Sequence, residues 1–437
     1  MKDLLKKILL YILTAEARAV VRRYKPNIVA VTGSVGKTST KDAIYEVLAQ
    51  NARVRKSEKS FNSELGLPLS ILGRPNAWNN PLGWIQNIID GLFLIIFNSN
   101  YPEWLVLEVG ADRPGDIKSV AKWLPVDIAV LTRLPEVPVH VEFFSSPDEV
   151  VEEKASLIDA LKPTGTLVLY ADDSRADLLK KRAGDKHVIT FGFSESSQVR
   201  ATDFQIMFEE GAVRRPVGMS ANLAVGEHSL PLEVLGTIGP HTLLPALAAA
   251  SVGAVLEKDL QVIAEGLRAY VPPSGRMHIL PGIKGSTIID DTYNSSPAAV
   301  SAALDTLALI KHESNLQGRS IAVLGDMLEL GRHSVDEHRK LGKQAAQQAD
   351  VLVTIGFRAR DIAEAAVDAG MSEKTVLQYE DAHKAGDELA ALVQEGDIIL
   401  VKGSQSMRME RTVKELMLEP ERAGKLLVRQ DEEWIKR

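Results

Sequence analysis

Ile28-Val29-Ala30-Val31-Thr32 runs directly into Gly33-Ser34-Val35-Gly36-Lys37-Thr38-Ser39, and this junction decides the fold. The first five residues form an apolar run of strand length. The glycines allow a tight turn, and a helical pattern begins at about Thr38. Successive N–H groups of such a turn face a phosphate at the positive end of the following helix. Lys37 then reaches the β- and γ-phosphates, and the Thr38 hydroxyl holds Mg²⁺. The general phosphate loop has a glycine where this chain has Val31, so residues 32–39 follow the narrower TGxxGKT[ST] pattern. A glycine turn without a ligand is the competing account, and the lysine–threonine pair between strand and helix argues against it.

Outward from the loop, Trp104–Val109, Asp127–Thr132 and Thr166–Tyr170 are further buried-strand candidates, separated by helical stretches such as Ser146–Leu161. This alternation predicts a parallel, helix-covered sheet. Glu108 ends the second of its strands beside the loop, where a carboxylate can ligate magnesium; an ion-pairing strand-end glutamate is the alternative. Residues 188–237 change character, and short alternating segments such as Val199–Phe208 and Ser229–Val234 predict antiparallel strands. Ala246–Leu256 reads as a small-residue helix. Val271-Pro272-Pro273-Ser274-Gly275 is the clearest linker. Beyond it, Thr287–Asp290, Ile321–Leu324, Val351–Ile355 and Ile398–Val401 alternate with helical patterns, as in a Rossmann-like unit. The expected fold is therefore α/β. An N-terminal amphipathic helix (1–25) precedes a phosphate-loop domain (26–271), whose mostly parallel sheet carries a smaller antiparallel part. A Rossmann-like C-terminal domain (272–437) follows.

Composition narrows the function classes. The 437 residues are 45% hydrophobic and 25% charged, as in an ordinary globular protein. A net charge of −7 gives no general attraction to nucleic acid. Cysteine is absent, which excludes disulfides, thiol nucleophiles and zinc-thiolate sites and fits a cytoplasmic protein. Residues 1–25 carry seven basic side chains against Asp3 and Glu16. The run Ile8–Leu13 is followed by Glu16 and Arg18 rather than by a cleavage site. A second apolar stretch, Trp84–Phe97, contains Asn87 and Asp90 and is short for a bilayer span. Two accounts stay open for these helices: packing on the body or on each other, and contact with a membrane surface.

Several motifs now fall in order: TGSVGKTST (32–40), SFNSELGLP (60–68), LEVGADRPGDI (107–117), His140 followed by Lys154, SGRM (274–277), DDTYNSSP (290–297), LGDMLELG (324–331) and VKGSQSMRME (401–410). On these the chain resembles the Mur ligases, from about Ile28 to Val413. The resemblance implies an ATP-dependent amide ligase of peptidoglycan precursor synthesis. ATP phosphorylates a substrate carboxylate, and an amine attacks the acyl phosphate. Its expected partners are small molecules: a peptide or nucleotide-sugar peptide, and an amino acid or dipeptide. The natural substrate pair is a muramyl tripeptide and D-alanyl-D-alanine.

The resemblance also implies residue roles. Lys37, Glu108, His140, Lys154 and Arg276 form the catalytic set. Two Mg²⁺ ions are expected, held by Thr38, Glu108, His140 and Lys154, the lysine carried as a carbamate. Taken alone, His140 is one histidine and Lys154 one lysine on a polar helix after Glu152 and Glu153. Asp291, Tyr293 and Asn294 match nucleotide contacts offered across the cleft, or else form a polar strand-end turn. Arg276 lies just past the linker and is expected to reach the γ-phosphate only on closure; a hinge-surface ion pair is its alternative. Asn62 matches a substrate-loop position. Asp326, Glu329 and Lys402 fall where the incoming amine is expected, although solvated strand-end charges fit them nearly as well.

The chain departs from the family at three points. The helix start HNxxNALAA becomes His241-Thr242-Leu243-Leu244-Pro245-Ala246-Leu247-Ala248-Ala249, losing an asparagine expected to read adenine. KGSR becomes Lys402-Gly403-Ser404-Gln405. With the loop already at residue 32, the uridine-binding domain with which family members begin is not expected ahead of it. Two other functions therefore stay open: a folylpolyglutamate-synthase-like ligase with other substrates, and a nucleotide-binding partner protein without catalysis.

Overall fold

The computed structural model describes residues 2–58, 64–209, 215–314, 318–431 and 434. Among them, nine strands form one sheet: β1 (Asn27–Thr32), β2 (Val54–Lys56), β3 (Trp104–Glu108), β4 (Val126–Leu131), β5 (Leu161–Tyr170), β6 (His187–Gly192), β7 (Val199–Phe208), β8 (Pro216–Val225) and β9 (His228–Leu235). Their spatial order is β2-β3-β1-β4-β5-β6-β7-β8-β9. β1 pairs in parallel with both β3 and β4, so strand order reverses around it. In open α/β sheets the crevice at such a reversal, beyond the strands' carboxyl ends, is where ligands bind. The continuous apolar pattern of β1 has its cause here, because five of its six residues are buried between helical layers.

The antiparallel part is smaller than the alternating pattern suggests. β6 is parallel to β5, and β7 meets β6 in parallel over only two residue pairs. Only β7, β8 and β9 form an antiparallel meander. β6 alternates because one of its ends is solvent-facing, not because its direction reverses. The helix expected over Ser146–Leu161 also stops early, at Ala155, and a short 3₁₀ turn follows at Ile158–Ala160.

A second sheet contains β10 (His278–Pro281), β11 (Thr287–Asp291), β12 (Ser320–Gly325), β13 (Val351–Ile355), β14 (Val376–Tyr379) and β15 (Ile398–Lys402), in the order β10-β11-β15-β12-β13-β14. All pairings are parallel except that of the edge strand β10. The two sheets are stitched together near the linker. Ile238 N–H donates to Met277 O at 3.1 Å, and Ile279 N–H donates to Gly236 O at 3.0 Å. A single apolar core also runs through both, from Val29 and Leu247 to Leu304 and Leu324.

The first half contributes the helices α1 (Lys2–Tyr24), α2 (Lys37–Ala49), α3 (Gly66–Leu72), α4 (Pro81–Ile96), α5 (Asp116–Ala121) and α6 (Pro147–Ala155). α2 fills the middle of the fold by packing Val47 against Gly253 and Gly266 of the two later helices, Leu244–Val255 and Leu260–Ala269. α1 and α4 lie against each other on the opposite layer, with Leu13, Ala17 and Val20 of α1 in the apolar core beneath β1 and β3.

Candidate active site

The loop after β1 and the first turn of α2 border a cavity of about 550 Å³. The loop's shape follows from its glycines. A Cβ at Gly33, whose φ is 144°, would lie 1.9 Å from Thr132 Oγ1, so only glycine lets the loop pass β4. Ser34 and Val35 N–H groups both point to Arg133 O, at 3.0 and 3.4 Å. These two donors, expected to face a phosphate, are thus engaged by the protein. The first helical bond runs from Thr40 N–H to Gly36 O. It leaves the N–H groups of Lys37, Thr38 and Ser39 directed out of the helix end, where partial positive charge gathers.

Both sheets contribute walls. Glu108, Arg133 and His140 come from the first, and Asp291, Tyr293, Asn294, Glu329 and Lys402 from the second. Lys37 Nζ donates to Gly33 O at 3.0 Å. Burial pushes its pKa down; Glu108 and Asp112 oppose that shift, and Arg276 adds to it. Glu108 is buried at the end of β3, with its N–H donating to Ser57 Oγ at 3.2 Å. Arg276 Nη2 donates to Thr38 Oγ1 at 3.4 Å, and its guanidinium lies 4.1 Å from the Tyr293 ring centre. The sequence placed Arg276 in reach of the loop only on closure; here it touches the loop. Arg276 Nε and Ser34 Oγ are buried with no hydrogen-bond partner among the described residues. Buried polar atoms of this kind beside a cavity are the donor set that a phosphate oxygen satisfies.

The residues beyond the linker divide by task. Asp291 accepts from Met277 N–H at 3.2 Å and from Lys402 Nζ at 2.6 Å. Lys402 is buried and donates also to Asn294 O at 3.0 Å. Expected to meet an incoming amine, it lines the cavity and also braces the turn that presents Tyr293 and Asn294. Asp326 lies outside the cavity wall, where its Oδ1 accepts from Ala359 N–H at 2.7 Å. Glu329 does reach the cavity, and it approaches His140: Nδ1 and Oε2 are 2.5 Å apart. His140 pulls the Glu329 carboxyl below its usual range. On its other side, His140 Nε2 lies 3.6 Å from Asp112 Oδ1.

Lys154 is buried on α6, and burial, then the charge of Lys37, push its pKa down to about 7. The helix is positioned by Ser146, whose side chain accepts from Glu149 N–H, and by Glu153, which accepts from Gly115, Ile117 and Lys118 N–H at the start of α5. Asn62 lies outside the described residues.

Three wall residues were not among the expected site residues. Asp112 and Arg133 become site residues through the register of β3 and β4, although Asp112 stood within the quoted 107–117 segment. His241 is the third; burial holds its pKa at about 4, so it is a neutral imidazole at pH 7. Beside it, Thr242 Oγ1 donates to Gly239 O at 2.7 Å.

Comparison with known proteins agrees with this geometry. Residues 31–253 match the Mur ligase middle domain, and residues 275–405 match the Mur ligase glutamate ligase domain. UDP-N-acetylmuramoyl-tripeptide–D-alanyl-D-alanine ligase of Mycobacterium tuberculosis (strain CDC 1551 / Oshkosh) is 30% identical over 396 residues, 87% of this chain and 70% of that protein. The Bacillus subtilis (strain 168) enzyme of the same name is 28% identical over 405 residues, 92% and 79% of the two chains. The crystal structure of MurF ligase from Thermotoga maritima in complex with ADP superposes with a TM-score of 0.75 at 27% identity, covering 94% of this chain and 84% of that one.

Proposed function

This chain belongs to the Mur ligase family, whose members are ATP-dependent, ADP-forming amide ligases, and on that premise we propose that it joins D-alanyl-D-alanine to the free carboxylate of a muramyl tripeptide. The Arg276–Thr38 contact carries this proposal, because it brings a cation from beyond the linker onto the hydroxyl at the head of α2. One cavity then holds groups from both sheets around the position of a terminal phosphate.

The chemistry explains the charge. A carboxylate oxygen attacks the γ-phosphorus, the bond to ADP breaks, and the acyl phosphate forms. The amine then attacks the acyl carbon, phosphate leaves, and the nitrogen loses a proton. The first step brings two anions together, so the site must concentrate positive charge in a place shielded from water. Lys37, the end of α2 and Arg276 supply it from fixed positions. Asp291 and Lys402 brace the turn that would present Tyr293 and Asn294 to the nucleotide, and the T. maritima relative was solved in complex with ADP.

The donor set also fits magnesium, which when bound would add further positive charge beside the phosphates. Thr38 and Glu108 would hold one ion. His140 and Lys154 would hold a second, with Lys154 as its carbamate. A lysine whose pKa lies near 7 is largely a free amine in mildly alkaline buffer, which is the form that adds carbon dioxide. With Glu329 against Nδ1, His140 would offer Nε2 to such an ion. We assign the two functional units to residues 26–271 and 272–437, and the reaction to the cytoplasm, where its nucleotide is available.

A phosphate-release assay with ATP and Mg²⁺ tests the proposal. It pairs muramyl tripeptide, with and without its uridine nucleotide, with D-alanyl-D-alanine, single amino acids or glutamate. Release only with tripeptide plus D-alanyl-D-alanine is expected. Release with glutamate and a different carboxylate would place the chain with folylpolyglutamate-synthase-like ligases. ATP binding without release for any pair would make it a nucleotide-binding partner protein.

A further inference from the structure

α4 is amphipathic with its faces reversed. Asn80 caps its start by accepting from Gly83 N–H at 3.1 Å, and Pro81 opens the first turn. From there the polar positions turn toward the protein. Asn87, only 4% exposed, donates to Pro75 O at 2.9 Å, and Asp90 pairs with Arg74 at 2.9 Å. Gly91 sits so close to α1 that a Cβ there would lie 2.3 Å from Glu16 Oε2. The opposite face carries Leu82, Ile85, Ile89, Phe93 and Ile96, all exposed, Leu82 by 74% and Ile96 by 63%. Their spacing of three and four residues makes one stripe along a helix of sixteen residues, about 24 Å long.

α1 runs beside it. Tyr24 Oη donates to Leu94 O and Phe97 O at 2.9 and 3.0 Å, which fixes the two helices together at their C-terminal ends. Leu5 and Ile8 on the first turns of α1 are exposed too. Among the described side chains of residues 5–25, every exposed charge is positive: Lys6, Lys7, Arg18, Arg22, Arg23 and Lys25. Glu16, the one acid among them, is buried between the helices. This concentration stands out on a chain whose net charge is −7.

A long apolar stripe beside a basic helix is the combination that lies in the plane of a bilayer with anionic headgroups. It does not span: no helix among the described residues is long and apolar enough to cross a membrane. We propose that α1 and α4 form a platform that seats the protein on an anionic lipid surface, with the outer face of α4 at the headgroup–acyl boundary and the basic residues of α1 on the headgroups. The cavity lies at the carboxyl end of β1 and no residue of this stripe lines it, so the proposal does not rest on the ligase assignment.

Co-sedimentation of the full chain with vesicles tests it, using phosphatidylcholine alone and phosphatidylcholine with phosphatidylglycerol. Binding is expected only to the anionic vesicles and should weaken as salt rises. Ile85→Glu with Phe93→Glu should lower the partition coefficient about tenfold or more, since two buried apolar side chains are lost. Both sites face solvent, so folding, checked by circular dichroism, and phosphate release without vesicles should stay unchanged. Failure of the wild type to sediment, or equal sedimentation of the variant, would overturn the proposal. So would a wild-type dimer in analytical ultracentrifugation that the same substitutions make monomeric without lipid binding, because the stripe would then belong to a second copy of the chain.

Discussion

His140 and Glu329 meet across the cleft, Nδ1 to Oε2 at 2.5 Å, each in left-handed backbone geometry at φ 67° and 62°. Two non-glycine residues in that geometry are a local cost that the surrounding structure has to offset, and they face each other here. The carboxylate comes from the loop after β12 and the imidazole from the loop after β4, so the pair exists only when both sheets are together. If His140 ligates metal through Nε2, its orientation depends on a residue from the other half of the molecule.

Glu329→Gln should therefore weaken Mn²⁺ binding about 10- to 100-fold, the usual effect of losing a ligand's orienting partner. Titration followed by electron paramagnetic resonance measures this without turnover. Unchanged affinity would show that the imidazole is held by other groups.

Arg276→Ala should lower kcat about 10²- to 10³-fold while nucleotide still binds, as expected for a cation aimed at charge that develops during reaction. Lys37→Ala should abolish turnover with the fold intact. Isothermal titration with a non-hydrolysable ATP analogue separates binding from chemistry in both variants.

Lys154, with its pKa lowered to about 7, should be mostly ammonium below that pH and mostly free amine above it. Activity should accordingly fall as pH drops through 7 and recover with added bicarbonate at a fixed pH near 7. Carbon-13 bicarbonate should give a carbamate resonance that Lys154→Ala lacks. Its absence from active enzyme would remove the carbamate from the metal site.

Burial raises the Glu16 pKa from 4.5 to about 7. The folded state therefore keeps a proton that the unfolded chain releases at lower pH. Its stability relative to a neutral side chain is fully present below pH 4.5 and declines as pH rises to about 7. Glu16→Gln should raise Tm at pH 8 and change it little at pH 4.5. An equal shift at both values would assign the effect to packing.

Thr242 spends its hydroxyl on Gly239 O, and Pro245 offers no side-chain donor. GTP should thus replace ATP with less than about a tenfold loss in kcat/KM, since little in this wall reads the base edge. Thr242→Asn with Pro245→Asn should widen that ratio. A wild-type preference for ATP far above tenfold would point to base recognition elsewhere in the cavity.

The legible parts of this molecule were those decided locally. The β1–loop–α2 unit shows in sequence because an apolar strand, two glycines and a lysine–threonine pair are neighbours along the chain. β11, β12, β13 and β15 show for the same reason, as short apolar runs closed by polar residues. What stayed hidden depends on pairing between distant strands. Asp291 and Lys402 are register partners of β11 and β15, which gives a lysine expected at the amine site a bracing contact as well. Arg133 supplies a carbonyl to Ser34 and Val35 only because β4 lies beside β1. β14 was missed because four residues at a sheet edge, three half-covered and one exposed, carry too little pattern to stand out from a loop.

The main-chain strip joining 236–238 to 277–279 acts like the spine of a book. Any opening that keeps its bonds must turn about that line. Arg276 adjoins that line, next to Met277, whereas His140 and Glu329 come from loops of the two different sheets. Opening would part His140 from Glu329, so that contact is a reporter of whether the two pages are closed.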